Sequence, residues 1–248
     1  FRILFSLMSA NTPEGVKESL AEVKARIAAV VAEKSIARPP RLVAVSKLHT
    51  AELVKAAYDA GQRCFGENYV QELCEKSKSL PQDIEWHFIG HLQSNKAKQL
   101  VDECDSLVMV ETVDSQKLAT KLNNAVQDKG RQKLRVYIQV NTSGEESKAG
   151  VTPGDEVALA EFIIRECPGL QFAGVMTIGM PDYTSRPENF ECLQECQARI
   201  ASKTGLGADK IDLSMGMSGD FEAAIAMGST NVRVGSTIFG ARPKKSGA

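Results

Sequence analysis

Leu42-Val43-Ala44-Val45-Ser46-Lys47 is apolar at four consecutive positions and then ends in a hydroxyl and an amine. Alternating apolar and polar residues would mark a strand with one wet face. An unbroken apolar run marks a strand covered on both faces, as in parallel sheets. On its N-terminal side, Val16, Leu20, Val23, Ile27 and Val30 recur at helical spacing, which predicts an amphipathic helix over 14–34 that Arg38-Pro39-Pro40 ends. On its C-terminal side a helical pattern over 50–60 follows, and the alternation then repeats. Apolar runs lie at 64–66, 86–90, 107–111, 134–141, 172–179, 211–214 and 232–239. Helical patterns lie near 68–79, 94–102, 114–128, 153–166, 187–204 and 220–227.

Eight strand-sized runs separated by helices is the count of a closed (β/α)8 barrel, a TIM barrel of the α/β class, here with an extra N-terminal helix. An open doubly wound sheet is the rival arrangement. With no linker, low-complexity stretch or composition break, 14–242 reads as one domain between a flexible N-terminal extension over 1–13 and a tail over 243–248.

Composition narrows the function classes. The 248 residues are 43% hydrophobic and 25% charged with a net charge of −1, so no basic face is implied and nucleic acid is a poor partner. No apolar run approaches the roughly 20 residues of a membrane-spanning helix. Six scattered cysteines without a C-x-x-C pair suit reduced thiols in the cytoplasm. Cys192 and Cys196 lie one helical turn apart, but no second ligand pair accompanies them. Residues before Met8-Ser9 read as an extension or, alternatively, as the tail of an organellar targeting segment.

Chemistry in such barrels gathers at the C-terminal ends of the strands. That rule selects Ser46-Lys47, Gly66-Glu67-Asn68, Gly90-His91, Asn141-Thr142, Thr177-Ile178-Gly179, the stretch from Ser214 to Ser218, and Arg233-Val234-Gly235-Ser236. Desolvation by apolar walls would favour the free amine of Lys47, the form that attacks a carbonyl; the plain alternative is a lysine snorkelling at a strand end. Ser214-Met215-Gly216-Met217-Ser218-Gly219-Asp220 exposes backbone N–H groups before a helix that Ser218 or Asp220 is placed to cap, a setting that suits phosphate. Gly235-Ser236 offers a second set, and phosphate grips after strands 7 and 8 recur in these barrels. A phosphorylated aldehyde or ketone opposite Lys47 is the ligand these features fit. Of His87 and His91, one reads as a hydrogen-bonded interior residue and the other as lining the mouth. Glu67-Asn68 reads as orienting a ligand or as a helix cap.

These segments together resemble the pyridoxal-phosphate-binding homeostasis family. The resemblance is carried by Val43-Ala44-Val45-Ser46-Lys47, Phe65-Gly66-Glu67-Asn68-Tyr69-Val70-Gln71-Glu72, Trp86-His87-Phe88-Ile89-Gly90 and Leu92-Gln93-Ser94-Asn95-Lys96. It continues through Ser147-Lys148-Ala149-Gly150, Leu213-Ser214-Met215-Gly216-Met217-Ser218 and Val232-Arg233-Val234-Gly235 to Ile238-Phe239-Gly240-Ala241-Arg242. It implies the alanine racemase N-terminal barrel, fold type III of enzymes using pyridoxal 5′-phosphate (PLP), with Lys47 holding PLP as a Schiff base. It further implies cofactor contacts from Asn68, Met217 and Ser218, phosphate contacts from Ser218 and the backbone of Gly235 and Ser236, and Arg233 at the ring nitrogen.

A fixed cation at that nitrogen disfavours its protonation and weakens the ring as an electron sink. Few residues follow the eighth strand, so an open cofactor face without a racemase-type second domain is expected, and with it poor catalysis. The expected role is an intracellular protein that buffers PLP or delivers it to PLP-dependent apo-enzymes, acting as a monomer. A weak amino-acid racemase is the alternative, and a PLP-independent Schiff-base aldolase or a scaffold are further ones. His49 stands where many relatives carry a second lysine, and Lys148 matches a family lysine that offers a second docking place or is plain surface.

Overall fold

The computed structural model describes residues 11–145, 149–179 and 187–241. The Thr12 hydroxyl accepts the Gly15 N–H at 3.1 Å and Pro13 supplies a preset φ at the first helical position. Helix α1 (Pro13–Glu33) follows, burying Val16, Leu20, Val23 and Ile27 along one stripe. The repeating units are then β1 (Arg41–Val45), α2 (Ala51–Asp59), β2 (Cys64–Glu67), α3 (Val70–Ser79) and β3 (Glu85–Phe88). A 3-10 turn (Ser94–Lys96) leads into α4 (Ala97–Glu103), β4 (Leu107–Val113), α5 (Gln116–Lys129), β5 (Leu134–Gln139) and α6 (Glu156–Glu166). The series ends with β6 (Leu170–Met176), α7 (Pro187–Thr204), β7 (Asp212–Ser214), α8 (Phe221–Ala226), β8 (Asn231–Val234) and α9 (Ser236–Phe239).

All strands pair in parallel and in chain order, and β8 returns to β1 with Arg41 opposite Asn231 and Ala44 opposite Val234. That closure makes the chain the expected (β/α)8 barrel and excludes the open sheet. Both faces of the strands are buried, by Val43, Phe65, Trp86, Phe88, Val136, Ile138 and Val175 among others. Each large apolar side chain so buried contributes about 1.5–3 kcal/mol. Helix α1 lies outside the ring against α2, α8 and α9, where Arg26 forks onto Glu222 at 3.0 and 2.6 Å.

The apolar run at 232–239 is not one strand. It breaks at Gly235, whose carbonyl accepts the Ile238 and Phe239 N–H groups and turns the chain into α9. Period alone does not separate a four-residue helix from strand when Ile238 and Phe239 are both buried.

At the N-terminal ends of the strands a buried Asp212 carboxylate ties several strands together. It accepts from Tyr137 at 2.8 Å and Arg135 at 3.2 Å, and pairs with Arg38 at 3.2 Å and Arg41 at 3.8 Å. Gly174 permits this closeness, since a Cβ there would stand 2.2 Å from the Asp212 carbonyl oxygen. Among the described residues no helix is long and apolar enough to cross a membrane.

Candidate functional site

At the opposite mouth the loops enclose a cavity of about 410 Å³. Lys47 enters it just beyond β1, Asn68 beyond β2 and Ile89 beyond β3. Met217 and Ser218 come from the loop after β7, Arg233 from β8 itself, and Gly235 and Ser236 from the β8–α9 junction. The structure thus brings all seven residues that the sequence nominates for a cofactor into one wall. Val45 and Ile178 complete the lining. Lys47 and Arg233 give the cavity two cations, and among the described residues none of its lining is acidic.

Glycines set the closeness of the lining. A Cβ at Gly90 would lie 2.1 Å from the Asn68 carbonyl oxygen, so this loop seats Asn68 only because Gly90 has no side chain. The Asn68 Oδ1 atom is buried and has no hydrogen-bond partner among the described residues. An acceptor stranded in this way awaits a donor, here in a cavity.

The loop after β7 differs from the sequence reading. Neither Ser218 nor Asp220 caps α8 through its side chain. Asp220 instead turns back to accept the Met217 N–H at 2.6 Å, and Ser218 Oγ accepts the N–H groups of Gly235 at 3.1 Å and Thr237 at 3.4 Å. The two phosphate-type loops that looked separate in sequence are therefore one joined cradle.

Beneath the cavity lies a buried polar network. The Glu111 carboxylate meets His87 Nδ1 at 2.6 Å and accepts from Ser214 Oγ at 2.5 Å and from Asn231 at 3.2 Å. Arg233 donates to Ser214 Oγ at 2.5 Å and to the Thr177 carbonyl at 2.6 Å, and stands 3.9 Å from Glu111. Burial alone would raise the Glu111 carboxyl, yet the contacts from His87, Arg233 and Ser214 hold it below the usual range. Burial pulls Arg233 below its ordinary value, opposed by Glu111. Sequence reading put one of His87 and His91 inside the barrel without saying which, and the interior one is His87; it missed Glu111. An acid within the run at 107–111 was the available signal.

His91 is exposed, with Nδ1 3.5 Å from Asp114, and lines a separate hollow of about 150 Å³ at the mouth. His49 is buried and stacks on Phe239 at 5.4 Å, so it does not line the cavity. Lys148 lies outside the described residues.

Glu67 is fully buried; burial pushes its carboxyl up to about 7, against the pull of Lys76. Between the ordinary value of 4.5 and that value, the folded chain keeps a proton that the unfolded chain has released. Stability therefore falls as pH rises through this window. In Glu67→Gln the dependence disappears, so the Tm of the variant minus that of wild type is expected to rise from about pH 5 to about pH 8. Thermal melts across that range check it, and a flat difference would contradict it.

The family model described as "Alanine racemase, N-terminal domain" matches residues 19–243, so a barrel of that class is what this fold and site define. The human pyridoxal phosphate homeostasis protein is 48% identical over 246 residues, covering 94% of this chain and 89% of the human one. This chain belongs to the pyridoxal phosphate homeostasis protein family. Among solved structures, a Bifidobacterium adolescentis protein superposes with a TM-score of 0.81 at 34% identity, covering 92% of this chain and 95% of that one. PipY of Synechococcus elongatus, solved with PLP bound, superposes with a TM-score of 0.70 at 32% identity, covering 91% of this chain and all of PipY (100%).

Proposed function

We propose that this chain binds PLP in the mouth cavity and serves vitamin B6 homeostasis in the cytoplasm as a monomer, holding the cofactor in reserve and releasing it to apo-enzymes. The observation that carries the reading is the convergence of Lys47 with the joined Ser218–Gly235–Ser236 cradle in one cavity. When bound, PLP supplies an aldehyde that condenses with a lysine amine to a coloured Schiff base, with loss of water. Lys47 is the amine for that linkage. Ser218 and the backbone at Gly235 and Ser236 hold the phosphate, Asn68 offers its stranded acceptor to a donor on the ring, and Met217 packs beside it. Arg233, fixed by Ser214 and Thr177, keeps a cation at the ring nitrogen and so opposes a proton there.

Storage rather than turnover is supported by the lining itself. Among the described residues of the cavity wall, Lys47 is the single side chain suited to proton transfer; no His, Tyr, Cys, Asp or Glu faces it. Stereochemical inversion of an amino acid needs a proton donor and acceptor on opposite faces. Unbridged cysteines suit the reducing compartment named here.

The test is a titration of the purified chain with PLP, followed by borohydride reduction and peptide mapping. A yellow band on addition of PLP and a reduced adduct on Lys47 are expected. A colourless protein at saturating PLP would end the cofactor reading.

A further inference from the structure

Lys47 leaves the barrel at a strand end, where the β-ladder holds only one side of it. The last ladder bond is Ser46 N–H to the Gly66 carbonyl at 3.0 Å. Beyond it, helix α3 takes over. Lys76 Nζ donates to the Ser46 carbonyl at 2.8 Å, and the Leu48 N–H donates to Glu72 Oε1 at 2.6 Å. Ser46 Oγ donates to Glu67 Oε1 at 2.7 Å, and Lys76 Nζ reaches that same oxygen and Glu72 Oε1, each at 2.7 Å. The residues on both sides of Lys47 are thereby fastened to one ammonium and two carboxylates.

Two features argue that this cluster does more than fill space. Lys76 is 6% exposed and spends its three N–H donors on these three acceptors, although an apolar side chain would pack α3 on β2 without the desolvation of an ammonium. Leu48 holds a φ of +65°, a left-handed conformation that branched bulky residues keep only where their surroundings over-determine it. Its N–H bond to Glu72 is such a determinant. Neither Lys76 nor Glu72 lines the cofactor cavity.

We infer that Lys76 is a positioning residue which, acting with Glu67 and Glu72, fixes the backbone at Ser46 and Leu48 and thereby the place of the Lys47 amine in the cavity. The inference rests on the PLP reading only for its meaning, since the amine can be examined without PLP. The charged groups of the cluster are Glu67 on β2 with Glu72 and Lys76 on α3, facing Ser46 of the β1 end. Burial lifts Glu67 to about 7, and its Oε2 has no partner among the described residues, so the cluster has room for a proton near neutral pH.

The experiment is competitive acetylation of the full chain across pH, read at the peptide carrying Lys47, for wild type, Lys76→Met and Lys76→Arg. PLP binding is measured on the same proteins. Lys76→Met is expected to raise the Lys47 labelling midpoint by about one pH unit, because a nearby cation is lost, and to weaken PLP binding about tenfold through a misplaced amine. Lys76→Arg restores at least part of both. A folded Lys76→Met with the wild-type midpoint and wild-type PLP affinity overturns the inference, whatever its Tm. If far-UV circular dichroism shows Lys76→Met unfolded, Glu72→Gln decides on the same two readouts, with the same midpoint and affinity as wild type again overturning it. A wild type that takes up no PLP strikes the cofactor reading, while the labelling midpoints still decide the role of Lys76.

Discussion

Lys47→Ala is expected to remove the yellow band outright and to weaken PLP binding on the order of a hundredfold, equivalent to about 3 kcal/mol. The substitution deletes the amine that forms the linkage and leaves the remainder of the site standing. Ser218 still joins the loops after β7 and β8, and Arg233 is still fixed by Ser214 and Thr177. A residual, colourless affinity is therefore expected from the phosphate cradle, and phosphate competition should abolish it. Equilibrium dialysis beside the visible spectrum measures both parts. If Lys47→Ala bound PLP as tightly as wild type and with the same colour, another lysine would be the anchor.

Glu111→Ala is expected to lower stability by about 3–5 kcal/mol, the range for leaving a buried charge without its partner. The loss falls on Arg233, which is 4% exposed, and on His87, Ser214 and Asn231, which all use the same carboxylate. For a chain of this length that corresponds to a drop in Tm on the order of 10 °C. Glu111→Gln keeps an acceptor of nearly the same shape and should cost less. The pH dependence has the opposite sign to that of Glu67. Contacts in the folded chain hold the Glu111 carboxyl low, so its contribution is complete above the ordinary value of 4.5 and is lost as pH falls through the lowered folded value. Denaturant melts of the three proteins at neutral and acid pH test both statements, and a Glu111→Ala loss under 1 kcal/mol would contradict the first.

The barrel was legible because strands buried on both faces write themselves as unbroken apolar runs, as in Leu42-Val43-Ala44-Val45. Lys47 and the loops around Ser218 and Gly235-Ser236 were legible because they stand at predicted strand ends, which closure of the sheet brings to one mouth, whereas Asn68, Met217 and Arg233 were named as cofactor contacts by the family resemblance. What escaped was whatever depends on contacts across the barrel. Glu111 sits in β4 and gains its meaning from β3, β7 and β8, which no local pattern records. Lys76 was not singled out in the sequence, and only packing shows its ammonium buried against β2 and the end of β1. The turn at Gly235 escaped because four residues are too few for a helical period to declare itself.

The Asp212 knot at the far end has a consequence for how the molecule breathes. Tyr137, Arg135 and Arg41 tie β5, β1 and β7 through one carboxylate at the end remote from Lys47. A ring riveted at its floor lets the rim loosen without the whole coming apart, so opening free energies should form a gradient along the barrel axis. Amide exchange would then be slowest near Tyr137 and Asp212 and fastest around Gly216 and Gly235, and loading of the mouth would slow the rim while leaving the floor's rates as they were.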